Sequence, residues 1–130
     1  MSNNPSEKEV ESVIAMSAFD RYQYLVKQAA ESEELYSLKK GDEWALADVE
    51  DNVLFSLWPA AVYATREATS GWAGYEAKAI SLEEFENTLL PLITKAGCMF
   101  NVFSVDGKLG FIVDREEFLR DLGEELEKYE

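Results

Sequence analysis

Histidine is absent from the 130-residue chain, and cysteine occurs once. Without imidazole the chain cannot assemble Ser-His-Asp or Cys-His catalysis, nor a histidine-ligated metal site. Cys98 alone cannot close an internal disulfide or build a thiolate zinc site, and it fits a reducing cytoplasm. Basic residues are scarce: 12 Lys and Arg stand against 26 Asp and Glu, a formal net charge of −14. That balance opposes binding to nucleic-acid backbones, which takes clustered Lys and Arg. No apolar run approaches the roughly 20 residues of a membrane span. Met1 to Glu11 has no cationic start followed by an apolar stretch, so a secretory signal is not expected either. The location expected is cytoplasmic, with no membrane association. Glycines are few, and Gly71-Trp72-Ala73-Gly74 has neither the Walker spacing nor the G-x-G-x-x-G fingerprint. Asp48-Val49-Glu50-Asp51-Asn52 lacks both the glycine and the terminal glutamate of a calcium loop. No cofactor and no metal are expected.

What is present suffices for a core. Hydrophobic residues make up 47% of the chain and aromatics 12%, which places it among folded proteins. The length fits a single domain over 1–130, with 1–5 frayed, 6–30 helical and 35–130 forming a sheet-containing body. Ser6 with Glu9 is a capping-box start, followed by Val10, Val13 and Ile14 at helical spacing. Ser17 can cap a second helix or a bend in the first, and Phe19, Tyr22, Leu25, Val26 and Ala29 keep the rhythm to about Ala30. From Leu35 the period becomes two. The apolar runs around Leu35–Lys40, Trp44–Val49 and Val53–Trp58, joined through Gly41-Asp42 and Asp51-Asn52, predict an antiparallel meander. The last run is almost wholly apolar, as for a strand covered on both faces. Pro59 suits the first turn of a helix over Ala60–Thr69, which Ser70-Gly71 ends. Tyr75–Ile80 reads as a short strand. Ser81 with Glu84 opens a helix whose buried stripe is Phe85, Leu89 and Leu92/Ile93, kinked or interrupted by Pro91 and stopped by Gly97. Asp106-Gly107 between two apolar runs is the strongest hairpin signal, and Asp114 with Glu117 caps a final helix. The whole is α+β: a mostly antiparallel or mixed sheet of about six strands with helices packed on it.

Most carboxylates need no special role. Glu83, Glu84 and Glu86, like Asp114, Glu116 and Glu117, fall at helix starts where the dipole favours them. Cys98 leads an apolar strand and reads as an inert core thiol. Trp58, Tyr63, Arg66 and Trp72 form the binding candidate, because Trp, Tyr and Arg dominate interface hot spots. The alternative is plain packing: Trp58 and Tyr63 seal the sheet–helix junction, and Arg66 pairs with one of many acids. Residues 114–130 carry eight acids against three bases, a field that speeds encounters with cationic proteins.

The succession Gly41-Asp42-Glu43-Trp44-Ala45-Leu46, Leu57-Trp58-Pro59 and Tyr63-Ala64 resembles a small bacterial family catalogued as a domain of unknown function. Gly71-Trp72, Ile80 to Phe85, Leu89-Leu90-Pro91 with Leu92, and Val102-Phe103 extend the likeness over about Leu35 to Leu122. The layout also resembles, more distantly, the N-terminal domain of SseB-type secretion-associated proteins. That second likeness implies only an architecture that serves in protein–protein interaction, and neither supplies a catalytic residue. The reading favoured is a non-enzymatic, acidic, cytoplasmic binding module of accessory or immunity type that docks a basic protein partner, with a homodimer also open. One rival is a small-ligand protein or enzyme with its pocket near Trp58, Arg66 and Trp72, where Arg66 holds an anion. The other is a nucleic-acid mimic whose carboxylates stand in for phosphates.

Overall fold

A computed structural model describes residues 5–129, so the polar start at Met1 to Asn4 lies outside the described residues. Two N-terminal helices are present, α1 over Glu7–Ile14 and α2 over Ala18–Ser32. The serine caps form as the sequence requires: Ser6 Oγ accepts from Glu9 N at 3.2 Å and Ser17 Oγ from Asp20 N at 3.1 Å. Helix α2 runs past Ala30 and ends on Glu33, whose φ of 61° is left-handed.

The remaining elements are β1 (Glu34–Lys40), β2 (Glu43–Trp44), β3 (Leu46–Val49), β4 (Asn52–Leu57), α3 (Ala61–Gly71) and β5 (Glu76–Ser81). Then come α4 (Leu82–Glu84), a π-helical turn (Phe85–Leu89), α5 (Leu90–Ala96), β6 (Met99–Val102), β7 (Phe111–Val113) and α6 (Arg115–Glu127). The class is α+β, but the strands form two sheets rather than one, in the orders β2-β1-β5 and β3-β4-β6-β7. Ala45 is the corner. Its N–H bonds Leu38 O of the first sheet at 2.9 Å, and its carbonyl accepts from Ser56 N of the second at 3.3 Å. The expected meander is therefore real in its pairing, with its middle run divided between the sheets. Tyr36 and Trp58 join the sheets again by a reciprocal backbone pair of 2.9 and 2.8 Å.

Strand β4 pairs parallel with β6, and the connection between them runs through α3, β5 and the helices that follow, as a parallel pair demands. Leu54, Phe55, Ser56 and Leu57 of β4 are all buried. Pro59 does not take the first helical position; it precedes the N-cap residue Ala60, whose φ of −155° is extended. The residue before a proline is pushed out of the helical region, which suits Trp58 as a strand end. Pro91 is accommodated by the π-helical turn before it, where Leu90 N reaches Phe85 O. An α-helical register would set the proline ring against the carbonyl of Asn87, and the extra residue in the turn relieves that contact. The helix is thus continuous over 82–96, and Gly97 stops it at a φ of 72°.

Helix α2 packs on α6 and reaches β1, β6 and β7, while α3 lies against β1 and β5. Phe85, Phe100 and Phe118 form the aromatic centre, with ring centroids 5.0 to 6.0 Å apart. Among the described residues no helix is long and apolar enough to cross a membrane.

Two tyrosines tie the helices together. Tyr22 donates to Asp121 on α6 at 2.6 Å, and Tyr24 donates to Glu9 on α1. Burial, reinforced by these carboxylate acceptors, pushes both phenols well above their ordinary value of 10.0. A raised phenol contributes stability that is whole below the unfolded value and is lost as pH climbs past it. The domain is therefore expected to lose stability above about pH 10, with phenolate absorbance at 295 nm for these two rings rising together with loss of circular dichroism. Their ionisation near pH 10 in an intact fold would contradict this account.

Candidate functional site

The four residues singled out in the sequence do not converge on one surface. Trp58, directly after β4, is 0% exposed; its indole Nε1 donates to Ser104 O at 3.0 Å. Its ring meets Trp72 edge-on, centroids 5.9 Å apart. Tyr63 on α3 is buried against Phe103 at 4.8 Å, with its hydroxyl 3.3 Å from that of Tyr24. Burial raises its phenol too. Arg66 pairs with Asp106 at 3.2 Å on the surface, and Trp72 is half-buried. Trp58 and Tyr63 thus pack the interior, while Arg66 and Trp72 keep atoms in solvent.

Arg66 and its neighbour Glu67 together hold the tip of the β6–β7 hairpin. Asp106 and Gly107 have φ of 53° and 78°, the doubly left-handed turn that Asp-Gly favours, and Val105 pairs with Lys108 across it. Arg66 bonds the Asp106 carboxylate; Glu67 accepts from Gly107 N at 3.0 Å. Behind this clamp lies a cavity of about 180 Å³ lined by Glu67, Trp72, Asn101, Ser104, Lys108 and Leu109, among others. Trp58, Tyr63 and Arg66 are not part of its wall. Asn101 is engaged on both sides, accepting from Gly110 N at 2.8 Å and donating to Ser56 Oγ at 3.4 Å. The Ser104 hydroxyl is buried with no hydrogen-bond partner among the described residues.

A larger, open groove of about 450 Å³ lies where β2 and β3 part company, closed on the other side by α5. Its floor is Trp44, Leu46, Phe55, Leu89, Leu92 and Ile93. Leu46 and Leu92, both lining the groove, are 48% and 59% exposed and give it an apolar surface open to solvent. Asp42 and Glu43 line it as well, and Lys39 sits over the Trp44 ring at 4.7 Å. Cys98 lines it too, and burial pushes its thiol up, away from the reactive thiolate.

The sequence model of the DUF2750 family, described as a protein of unknown function, matches residues 22–122. The chain belongs to the DUF2750 family. No curated protein matches it. The DUF2750 match runs from α2 into α6 and takes in every lining residue of the groove and of the cavity, whereas α1 precedes it.

Sequence reasoning did not single out the groove of this DUF2750 domain. Leu92 was expected in the buried stripe as an alternative to Ile93; Ile93 takes the core position at 4% exposure and Leu92 faces out. One signal was available: Leu89-Leu90 and Leu92-Ile93 put more apolar residues on one helix than a single face can bury. Glu67 and Ser104, both buried, carried no signal, because neither lies in a motif.

Proposed function

We propose that this DUF2750 domain is a non-enzymatic, acidic protein-binding module whose docking surface is the groove between β2–β3 and α5. The observation that carries this reading is the pairing of exposed Leu46 and Leu92 with Asp42 and Glu43 in one concave surface. The partner that fits is a basic protein presenting an amphipathic segment. Its apolar side chains enter the groove, and its Lys and Arg residues meet Asp42 and Glu43. The net charge of −14 steers such a partner in from a distance. Of the residues first singled out, Arg66 and Trp72 retain the exposure a binding contact needs, and Trp58 and Tyr63 support the fold beneath.

Leu92→Asp separates this reading from general acidity, since it adds charge of the same sign while spoiling the apolar floor. Tagged wild type and Leu92→Asp would be used to capture partners from a lysate of the source cells at low and high salt. The expected result is a stoichiometric basic protein, released at high salt, whose purified form binds Leu92→Asp at least about tenfold more weakly. A partner that binds both forms equally would remove the groove from the account.

A further inference from the structure

We propose that the basic partner of the groove docks as an extended segment, adding one antiparallel strand to the free edge of residues 43–49 while its alternate side chains enter the groove. This inference rests on the groove reading and deepens it, because it says how the partner is held.

Strands β2 and β3 each stand at the end of their sheet, so one side of each is unpaired among the described residues. Ala45 shows which side. Its N–H bonds Leu38 O and its carbonyl accepts from Ser56 N, so both of its polar groups face the paired side. Bonded and unbonded positions alternate along an antiparallel strand. Trp44, Leu46 and Asp48 therefore turn their N–H and C=O groups to the open side, without a break at the corner. The two tight turns agree with this phase: Lys40↔Glu43 and Val49↔Asn52 each close a short turn, the place of a bonded pair. No proline lies between Glu43 and Val49 to block the edge, which is left as a row of unpaired donors and acceptors.

Side chains and charge decide what fits this edge. Leu46 stands directly opposite Phe55, and the Trp44 ring lies 5.5 Å from the Phe55 ring, so these three share the face that floors the groove. In an added antiparallel strand the residues opposite Trp44 and Leu46 project from that same face, where Leu92 is exposed. Those residues are apolar in a fitting partner. Asp42 and Asp48 continue the same alternation at the two ends, so the residues opposite them are Lys or Arg. Asp42 to Asp51 holds five acids and no base, and Lys39 and Lys40 stand on β1, across the paired side. A second copy of this chain would set acid against acid at the same edge. A helix in the groove would leave the open N–H and C=O groups to water. A strand bonds them, and its alternate side chains supply the specificity.

The probe is the capped peptide Lys-Thr-Ile-Thr-Ile-Thr-Lys, which sets its isoleucines opposite Trp44 and Leu46 and its lysines opposite Asp42 and Asp48. Titration followed by amide NMR is expected to show saturable binding. In the saturated complex, solvent exchange of the Trp44, Leu46 and Asp48 amides should slow at least about tenfold. The Ala45 and Ala47 amides, already bonded on the paired side, should change little. N-methylation of either isoleucine removes a donor aimed at the edge and should weaken binding at least about tenfold. N-methylation of the threonine between them, whose N–H points away from the edge, should be tolerated. Leu92→Asp tests the groove separately and is expected to weaken peptide binding as well. Unchanged affinity in Leu92→Asp would remove the groove reading, and this inference with it. Weaker binding in Leu92→Asp with edge amides that exchange as in the free protein, or equal loss from both kinds of N-methylation, would keep the groove and overturn the strand. Absence of saturable binding by the parent peptide overturns the proposal too.

Discussion

Gly110→Ala is expected to destabilise the domain by about 4 kcal/mol or more, a large share of the 5–15 kcal/mol typical of a domain. A Cβ at Gly110 would lie 2.0 Å from Val102 O and 2.6 Å from Val102 C. Both atoms are backbone, so no rotamer change relieves the overlap. The strands would have to separate, and two features resist that. Val102 pairs with Phe111 in the β6–β7 ladder, and Gly110 N donates to Asn101 Oδ1 at 2.8 Å. The requirement here is close approach of backbone rather than an unusual φ. Gly123→Ala is the control: it lies inside α6 with nothing within 4 Å of the new methyl, and alanine should stabilise the helix by about 1 kcal/mol. Urea denaturation of the two variants would measure both effects. A Gly110→Ala midpoint equal to wild type would mean the strands are not held this close.

Local chemistry made much of this fold legible. Ser81 Oγ accepts from Glu84 N at 3.0 Å and Asp114 Oδ1 from Glu117 N at 2.8 Å, so each of these capping signals marked a true helix start. Asp106-Gly107 forms the turn its residues favour, because both need a left-handed φ that few other pairs tolerate. The short strand expected over Tyr75–Ile80 is β5, one residue displaced. These features are decided within a few residues of sequence, where the competing conformations are few.

What stayed hidden depends on partners far along the chain. An apolar alternation says that a strand is half-buried but not which strand lies beside it, so the division of the middle run at Ala45 had no sequence mark. The same holds for the sites. Arg66 was read as a lone cation that would find an acid, which it does in Asp106, 40 residues away. Glu67 stands beside it and was passed over, although it is the buried one. Residue type gave Arg66 its prominence; burial, which only the fold decides, gives Glu67 its chemistry.

Trp58→Ala is expected to cost about 3–5 kcal/mol, the range for removing a buried large aromatic ring. The ring is fully enclosed, and its backbone is the point where Tyr36 joins the two sheets. Trp58→Phe separates the parts of that loss. It keeps an aromatic ring against Trp72 but leaves Ser104 O without the indole donor, a cost of about 1–3 kcal/mol for an unpaired buried carbonyl. Denaturation midpoints of the two variants would test this order. A Trp58→Phe variant as stable as wild type would show that the indole hydrogen bond contributes nothing.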